Sequence, residues 1–297
     1  MKHPQHAAYL LIKFMVLLVL LAGPARAADE PAIIKALYDT YEEIAGDRPK
    51  HESIDVASDG TITLTGVHIV LSAHQAEGID IRQDFKIGTV TLSDIKELED
   101  GLFEVGKVSM KQANSTAGTP TETVAEAIIP VFEMEGMIVR GPARLKSPLD
   151  RWLATQILAR SATMPLLTVK VADFSVDAHD MAYNWKGDAA TGLGEWTFTV
   201  GSLIIPEEIT AAGEGPASLK ELGYDKLDIG AAGKSSIGLT GDLIDVGFEF
   251  GLILKKMATV TFGVDLGGIQ QQLIQMAQAL QAAPDDIDFN QFMALAQ

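Results

Sequence analysis

Three stretches of the chain share one pattern: residues 85–92 read FKIGTVTL, residues 103–110 read FEVGKVSM and residues 198–205 read FTVGSLII. Apolar residues at every second position indicate a strand, and the glycine shifts this alternation by one residue, which is typical of a β-bulge. Repeated units of this kind usually build a sheet from similar strands. The pattern therefore predicts a structural repeat in a curved sheet, with the three phenylalanines on one face.

The same alternation continues elsewhere in the sequence. Ile62 and Leu64 are followed, after Gly66, by apolar residues in the other phase, which again predicts a bulge. The clearest hairpin has apolar residues at every second position of 246–252 and of 260–266. Such alternation predicts antiparallel strands with one face buried and the other in water. Further strands are expected at Met134–Val139, Leu166–Val176, Trp196–Ile205 and Leu227–Ile229.

Helices are predicted at four places. An amphipathic helix over Pro31–Ala45 should stop at Gly46, and the capping pattern at Ser147–Asp150 should begin another that ends near 163–165. A third should begin at Thr119–Glu122, where a threonine cap precedes proline and glutamate. Its apolar residues would be Val124, Ile128, Val131 and Phe132.

The fourth predicted helix, at residues 269–281, has an unusual composition. No charged residue occurs between Asp265 and Asp285, and glutamines occupy most positions outside the apolar stripe. Two interpretations remain open: the stripe covers the protein's own sheet, or it binds a partner helix. Burial of the stripe against the sheet would favour the first interpretation, and exposure would favour the second. The stripe consists of Ile269, Leu273, Met276 and Leu280.

The N-terminus has the layout of a secretory signal peptide. Lys2 and Lys13 supply positive charge, the run 14–22 is wholly apolar, and Ala25–Ala27 has the small-x-small pattern of a cleavage site. The apolar run is about half of the ~20 residues that a membrane-spanning helix needs. We therefore expect cleavage between Ala27 and Ala28 and a periplasmic or secreted mature protein without a membrane span.

Composition excludes several classes of function. Removal of the leader would leave 20 basic residues against 40 acidic ones, a net charge of −20, which repels phosphate backbones and anionic headgroups. Nucleic-acid binding is therefore not expected. The chain has no cysteine, which excludes disulfides and thiol chemistry, so a hydrophobic core must supply the stability.

No motif for a metal or cofactor emerges from the sequence. The histidines outside the leader are dispersed, with His68 expected in a strand and His74 in a loop. Asp177, His179 and Asp180 fall close together and could take part in a hydrolase site, but turns also favour such residues, and a polar turn is the simpler interpretation. Asp286, Asp288 and Asn290 resemble the start of a calcium loop whose remaining ligands are missing. We therefore expect no cofactor, no metal and no catalytic residue.

The stretch from Leu222 to Ile269 carries repeated segments of the kind G-x-V-x-L, for example VTFGVDLGGI at residues 260–269. In this it resembles uncharacterised exported proteins of proteobacteria that are built from repeated β-segments. The resemblance covers about a sixth of the chain. It implies an association with the periplasm or envelope and defines no activity.

These observations predict an α+β, mostly β fold, in which amphipathic helices pack on curved antiparallel sheets. After the signal peptide (1–27), two similar halves are expected, at 28–145 and 146–297. The expected function is that of a non-catalytic envelope protein, a scaffold or a carrier of an apolar ligand such as a lipid. The alternatives are an interaction module that uses the uncharged C-terminal helix and, third, a hydrolase with an unrecognised site.

Overall fold

The computed structural model describes residues 30–76, 79–119, 122–171, 174–206, 226–241, 243–255 and 258–270. The fold is mostly β: eleven strands form one antiparallel sheet in which every strand pairs with its neighbours in sequence. β1 and β11 are the two edges of this open sheet. Residues 1–27, where the leader is predicted, and most of the predicted helix 269–281 lie outside the described residues.

Within these ranges, two helices accompany the sheet. The elements are, in chain order, α1 (Ala32–Ala45), β1 (Ser53–Val56), β2 (Ile62–Ala76), β3 (Ile79–Glu97), β4 (Leu102–Thr119), β5 (Glu122–Arg140), α2 (Pro148–Ala154), β6 (Ala159–Val171), β7 (Phe174–Gly187), β8 (Gly194–Pro206), β9 (Lys226–Thr240), β10 (Leu243–Leu254) and β11 (Ala258–Gln270). Short 3₁₀ turns at Glu99–Gly101 and Pro142–Arg144 lie beside each other at one end of the sheet.

The predicted strand repeat is confirmed. Its three copies lie in β3, β4 and β8, and the strand pairing places Phe85, Phe103 and Phe198 on the same side of the sheet. We call this side the apolar face and the other side the polar face. Phe85 and Phe103 are buried, whereas Phe198 is partly exposed.

Buried residues on the apolar face follow each other in alternating steps of two and three residues. In β4 they are Phe103, Val105, Val108, Met110 and Ala113, all of them at most 4% exposed. A step of three means that one residue is passed over, so the strand changes phase while the same face stays apolar.

The residues at which the strands change phase lie opposite each other on neighbouring strands. This arrangement explains why the glycine has the same position in all three copies of the repeat. Gly88 lies opposite Gln112, Gly106 opposite Asp94 and Gly201 opposite Asp180. These three opposing residues have positive φ values of 57°, 54° and 53°. A Cβ atom on Gly88, Gly106 or Gly201 would lie only 3.1, 2.5 or 2.9 Å from the Cβ of its opposing residue. A side chain at Gly106 or Gly201 would therefore clash with the Cβ of the opposing residue, and one at Gly88 would be in tight contact with Gln112.

α1 contributes to the main hydrophobic core. It begins after Pro31 and ends at Gly46, whose φ of 85° supplies the left-handed cap. Its buried Ile34, Tyr38 and Tyr41 belong to the same cluster as the apolar-face residues of β2 to β7. We call the apolar face of β2–β6 together with α1 the closed region.

α2 joins β5 to β6 and is held by a complete capping box. The hydroxyl of Ser147 accepts the backbone N–H of Asp150 at 3.1 Å, while the Asp150 carboxylate accepts the backbone N–H of Ser147 at 3.0 Å. Arg140 of β5 reinforces this arrangement, because its guanidinium donates to Asp150 at 2.9 Å and to the carbonyl of Ala190 at 3.1 Å. Burial lowers the pKa of Arg140, and the nearby Asp150 carboxylate opposes this effect.

The predicted boundary between two halves falls in the connection that contains α2. β5 and β6, which flank it, are hydrogen-bonded partners from Ala125 and Val171 to Met137 and Ala159. One sheet therefore continues across the boundary, and the division into two similar halves stays a prediction.

The structure corrects several local predictions. The helix predicted from Thr119 is wrong, because the segment that should form it belongs to β5, where pairing on both sides overrides the local capping signal. The helix at Ser147 ends at Ala154, well before 163–165, which lie inside β6. The predicted strand Leu166–Val176 is in fact the end of β6 and the start of β7, two antiparallel partners.

Two predicted polar loops are also wrong. His74 lies within β2 rather than after it. The segment from Asp177 to Asp180 lies within β7, where Asp180 occupies one of the phase-changing positions instead of a turn. In β7, the side chains of Asp177 and His179 alternate onto the polar face, a pattern that a short sequence window shares with turns.

Candidate apolar binding face

The titratable residues singled out in the sequence do not converge on a site. Asp177 accepts a hydrogen bond from the hydroxyl of Thr168 at 2.7 Å. His179 lies across from Ser202 in β8, but the Ser202 hydroxyl donates to Asp228 at 2.5 Å. That hydrogen bond lowers the pKa of the Asp228 carboxyl, because it stabilises the charged form. The serine hydrogen is thus directed to a carboxylate and away from the histidine.

Within the described ranges, no group of three or more histidine, aspartate or glutamate side chains is arranged to hold a metal ion. His51 is placed instead in the closed region, with its Nδ1 atom 2.7 Å from the Tyr38 hydroxyl. Burial lowers the pKa of His51, which favours the neutral ring. Asp286, Asp288 and Asn290 lie outside the described residues. Among the residues that are described, no helix is both long and apolar enough to cross a membrane.

The hairpin predicted at 246–252 and 260–266 is confirmed and forms the end of the sheet. β10 and β11 pair Val246 with Leu266, Phe248 with Val264, Phe250 with Phe262, and Leu252 with Val260. Through β9 and β8 the pairing continues to Phe198, so these side chains lie on the apolar face that the closed region also uses.

The apolar face is not buried at this end, which corrects the expectation of one buried and one wet face. On this face, six large apolar side chains of β9–β11 are 39 to 54% exposed, against 1% for Leu64 in β2. We call these six residues the open patch. They are Leu239, Phe248, Val260, Phe262, Val264 and Leu266.

Phenylalanine rings form the centre of the open patch. Phe250 stacks on Phe198 and Phe248, with ring centroids 5.9 and 6.3 Å apart, and meets the tilted ring of Phe262 at 5.3 Å. The Phe198 ring covers Gly233, because a Cβ atom on that glycine would lie 2.2 Å from the ring. The rings therefore form a continuous aromatic surface across β8–β11, in which a glycine makes room for Phe198 to lie flat.

One end of this surface meets a tryptophan cluster. Trp185 and Trp196 are buried beside Leu153 of α2 and Ile244 of β10, and Trp152 of α2 meets Trp196 edge to face at 6.5 Å between centroids. The chain has no other tryptophans, so all three lie at the end of the aromatic surface. Intrinsic fluorescence will therefore report on what binds there.

The charged residues of β9–β11 lie on the other side. Asp245, Glu249 and Asp265 alternate with the apolar-face residues and so lie on the polar face. Asp245 accepts hydrogen bonds from the Thr240 hydroxyl at 2.6 Å and from the backbone N–H of Gly268 at 2.9 Å, and these bonds lower the pKa of its carboxyl. The six residues of the open patch carry no charge and no hydrogen-bonding side chain, and the hydroxyl of Ser235 lies beside them, opposite Phe248 on the same face. This composition suits an apolar ligand better than a charged one.

No family model, curated protein or solved structure matches this chain. The resemblance to exported β-repeat proteins therefore stays a prediction, and the argument on function depends on the geometry of the open patch. Of the four residues predicted for apolar or partner contact, Ile269 belongs to the described part of the chain. Its backbone is part of β11 and pairs with Ile244, so the predicted helix does not begin at Ile269. Leu273, Met276 and Leu280 lie outside the described residues.

Proposed function

We propose that this chain is an exported, non-catalytic protein that binds and carries an apolar ligand with a long acyl chain, as a lipid has. The observation that carries the proposal is the open patch: a row of large apolar side chains, centred on stacked phenylalanines, that continues the core of the protein out to its surface. Single exposed apolar residues are common on protein surfaces, but a contiguous group of them marks an interaction site.

The dimensions of the open patch suit an acyl chain. Val246 to Leu252 covers six residue steps of strand, which is about 20 Å at ~3.4 Å per residue. A bilayer core of ~30 Å holds two acyl chains end to end, so one chain is about 15 Å long. An extended chain therefore fits along the β10–β11 ladder without leaving the apolar face.

The energetics favour long chains over short ones. Burial of one methylene contributes up to about 0.8 kcal/mol. Loss of translational and rotational freedom costs about 4 kcal/mol or more on association. Since the open patch has no polar group to add hydrogen bonds, on the order of ten methylenes are needed for a clear gain. We expect the affinity to rise steeply with chain length.

The chemistry of the patch argues against other ligand classes. Sugars and nucleotides need hydrogen-bond partners, which the open patch lacks, and the net charge of −17 disfavours phosphates. Export is supported by the predicted leader. The phase changes at Gly88, Gly106 and Gly201 would bend the sheet, and α1 would then lie on its concave side.

The test is a titration with cis-parinaric acid, a fluorescent fatty acid that quenches tryptophan by energy transfer. Binding to the open patch would place the probe beside the tryptophan cluster, so we expect saturable quenching. Phe262→Gln should weaken the affinity about tenfold or more, because a buried phenylalanine contributes about 1.5–3 kcal/mol.

Ile253→Gln provides the matched control. Ile253 is 43% exposed and Phe262 51%, on neighbouring strands, but Ile253 lies on the polar face opposite Thr259. Its substitution should leave the affinity unchanged. No quenching at all, or an equal loss of affinity in both variants, would contradict the proposal.

A further inference from the structure

We propose that residues 271–297 fold back from the end of β11 and dock on the open patch when no ligand is bound, so that this segment and the ligand compete for the same surface. The docking stands on the observations below, and the competition rests in addition on the proposed function.

The first argument is the state of the surface itself. The six residues of the open patch are 39 to 54% exposed; Phe248 and the four residues of β11 adjoin one another across the β10–β11 pairing and along β11, and Leu239 lies at the border, opposite the buried Ile244. A soluble protein rarely leaves an apolar group of this size in water, because each buried Å² of apolar surface is worth about 25 cal/mol. In the closed region, α1 covers the equivalent face. The described residues supply no such element to the open patch.

The second argument is the position and length of the segment. β11 is an edge strand, and it ends at Gln270, opposite Leu243. The 27 residues from 271 to 297 therefore start at the border of the open patch. If 271–281 formed a helix it would be about 16 Å long at 1.5 Å per residue, while β8–β11 are about 14 Å across at ~4.8 Å per strand. The segment is long enough to cross the patch.

The third argument is chemical complementarity. Leu273, Met276 and Leu280 recur at three- and four-residue spacing, which makes one apolar stripe on a helix. The sequence carries no charge from Leu266 to Pro284, and the open patch carries none either. Docking on the open patch would thus bury no unpaired charge. Docking on the polar face would instead bring the apolar stripe against the carboxylates of Asp245, Glu249 and Asp265.

The absence of cysteine makes a direct test possible, since any disulfide must come from introduced residues. Met276→Cys is combined in the full chain with one second cysteine at a time, and cross-linking under mild oxidation is followed on non-reducing gels. The second positions alternate along β11. Those on the apolar face are Val260, Phe262, Val264 and Leu266, and those on the polar face are Thr259, Thr261, Gly263 and Asp265.

We expect at least one apolar-face position to form an intramolecular disulfide about tenfold faster than its polar-face neighbours. Equal rates on the two faces would overturn the proposal, and so would cross-links that form mainly between two chains, which would point to a second copy as the occupant. Gln275→Cys in place of Met276→Cys is the control on the segment. It should slow the favoured cross-link, because Gln275 does not belong to the apolar stripe.

Addition of cis-parinaric acid separates this inference from the proposed function. If the docking and the acyl-chain binding are both correct, the probe should slow the cross-link between Met276→Cys and the apolar-face position several-fold. Fast apolar-face cross-linking without any effect of the probe, and without quenching, would keep the docking and remove the acyl carrier. Saturable quenching without face-selective cross-linking would keep the carrier and remove the docking.

Discussion

The closed region and the open patch use the same face of one sheet and the same alternation of side chains, yet one is buried and the other is not. Leu64 in β2 is 1% exposed, and Leu266 in β11 is 54% exposed. In the closed region, Ile34, Tyr38 and Tyr41 of α1 pack into the cluster that the strands build. Alternation thus determines which face is apolar, while burial depends on whether a second element covers that face.

The largest expected effect comes from removing the same atoms in the two regions. Leu64→Ala should lower the free energy of unfolding by about 2–5 kcal/mol, because it leaves a cavity in a packed core. Leu266→Ala should cost less than about 1 kcal/mol, since its side chain is already half in water. Urea unfolding followed by circular dichroism measures both. Equal costs would remove the distinction between the two regions.

A smaller effect is expected at the repeat glycines. Gly106→Ala should destabilise by about 1–3 kcal/mol, because its Cβ would lie 2.5 Å from the Cβ of Asp94. Asp94→Gly removes that atom and relieves the positive φ, so the double variant should recover most of the loss. Gly251→Ala in β10 is the control: its nearest new contact is 3.5 Å away, and it should change stability by less than about 0.5 kcal/mol. Failure of the rescue would refute the proposed cause.

The smallest expected effect is the part of the pH dependence of stability that comes from His51 in the closed region. His51 is buried against Tyr38, and burial lowers its pKa in the folded state below the ordinary value of 6.5. The unfolded chain therefore takes up a proton that the folded chain does not, and stability present above about pH 6.5 is lost as the pH falls toward the lowered pKa.

Measured by urea unfolding, the wild type should lose more stability than His51→Gln between about pH 7 and pH 5.5. The comparison with the variant removes the contribution of the carboxylates, which both chains share. A loss of the same size in both chains would show that His51 is not the group responsible.

Much of the sheet could be predicted from local patterns. The hairpin of β10 and β11, the repeat strands and the start of α1 all follow from two-residue or helical periodicity. The helix predicted from Thr119 was wrong because the apolar residues of β5 are spaced by two and three, a pattern that resembles helical spacing in a short window. Pairing with β4 and β6 decides that segment, and such pairing is not visible locally.

The candidate site was only half visible in the sequence. The alternation showed that Phe248, Phe250 and Phe262 share a face, but nothing in it showed that this face lacks a cover. The phase change at Gly106 was visible, whereas its cause was not. The residue that crowds Gly106 is Asp94, which lies on the neighbouring strand β3 and has a positive φ, and no feature of the sequence around Gly106 points to it.

The most direct test of the account is native mass spectrometry of the full chain, expressed in bacteria with its own leader and purified without detergent. The account predicts a bound species with the mass of an acyl lipid. This species should be lost from Phe262→Gln and retained by Ile253→Gln, whose side chain lies on the polar face. Bare protein in all three preparations, or retention of the lipid by Phe262→Gln, would contradict the claim that the open patch binds an acyl chain.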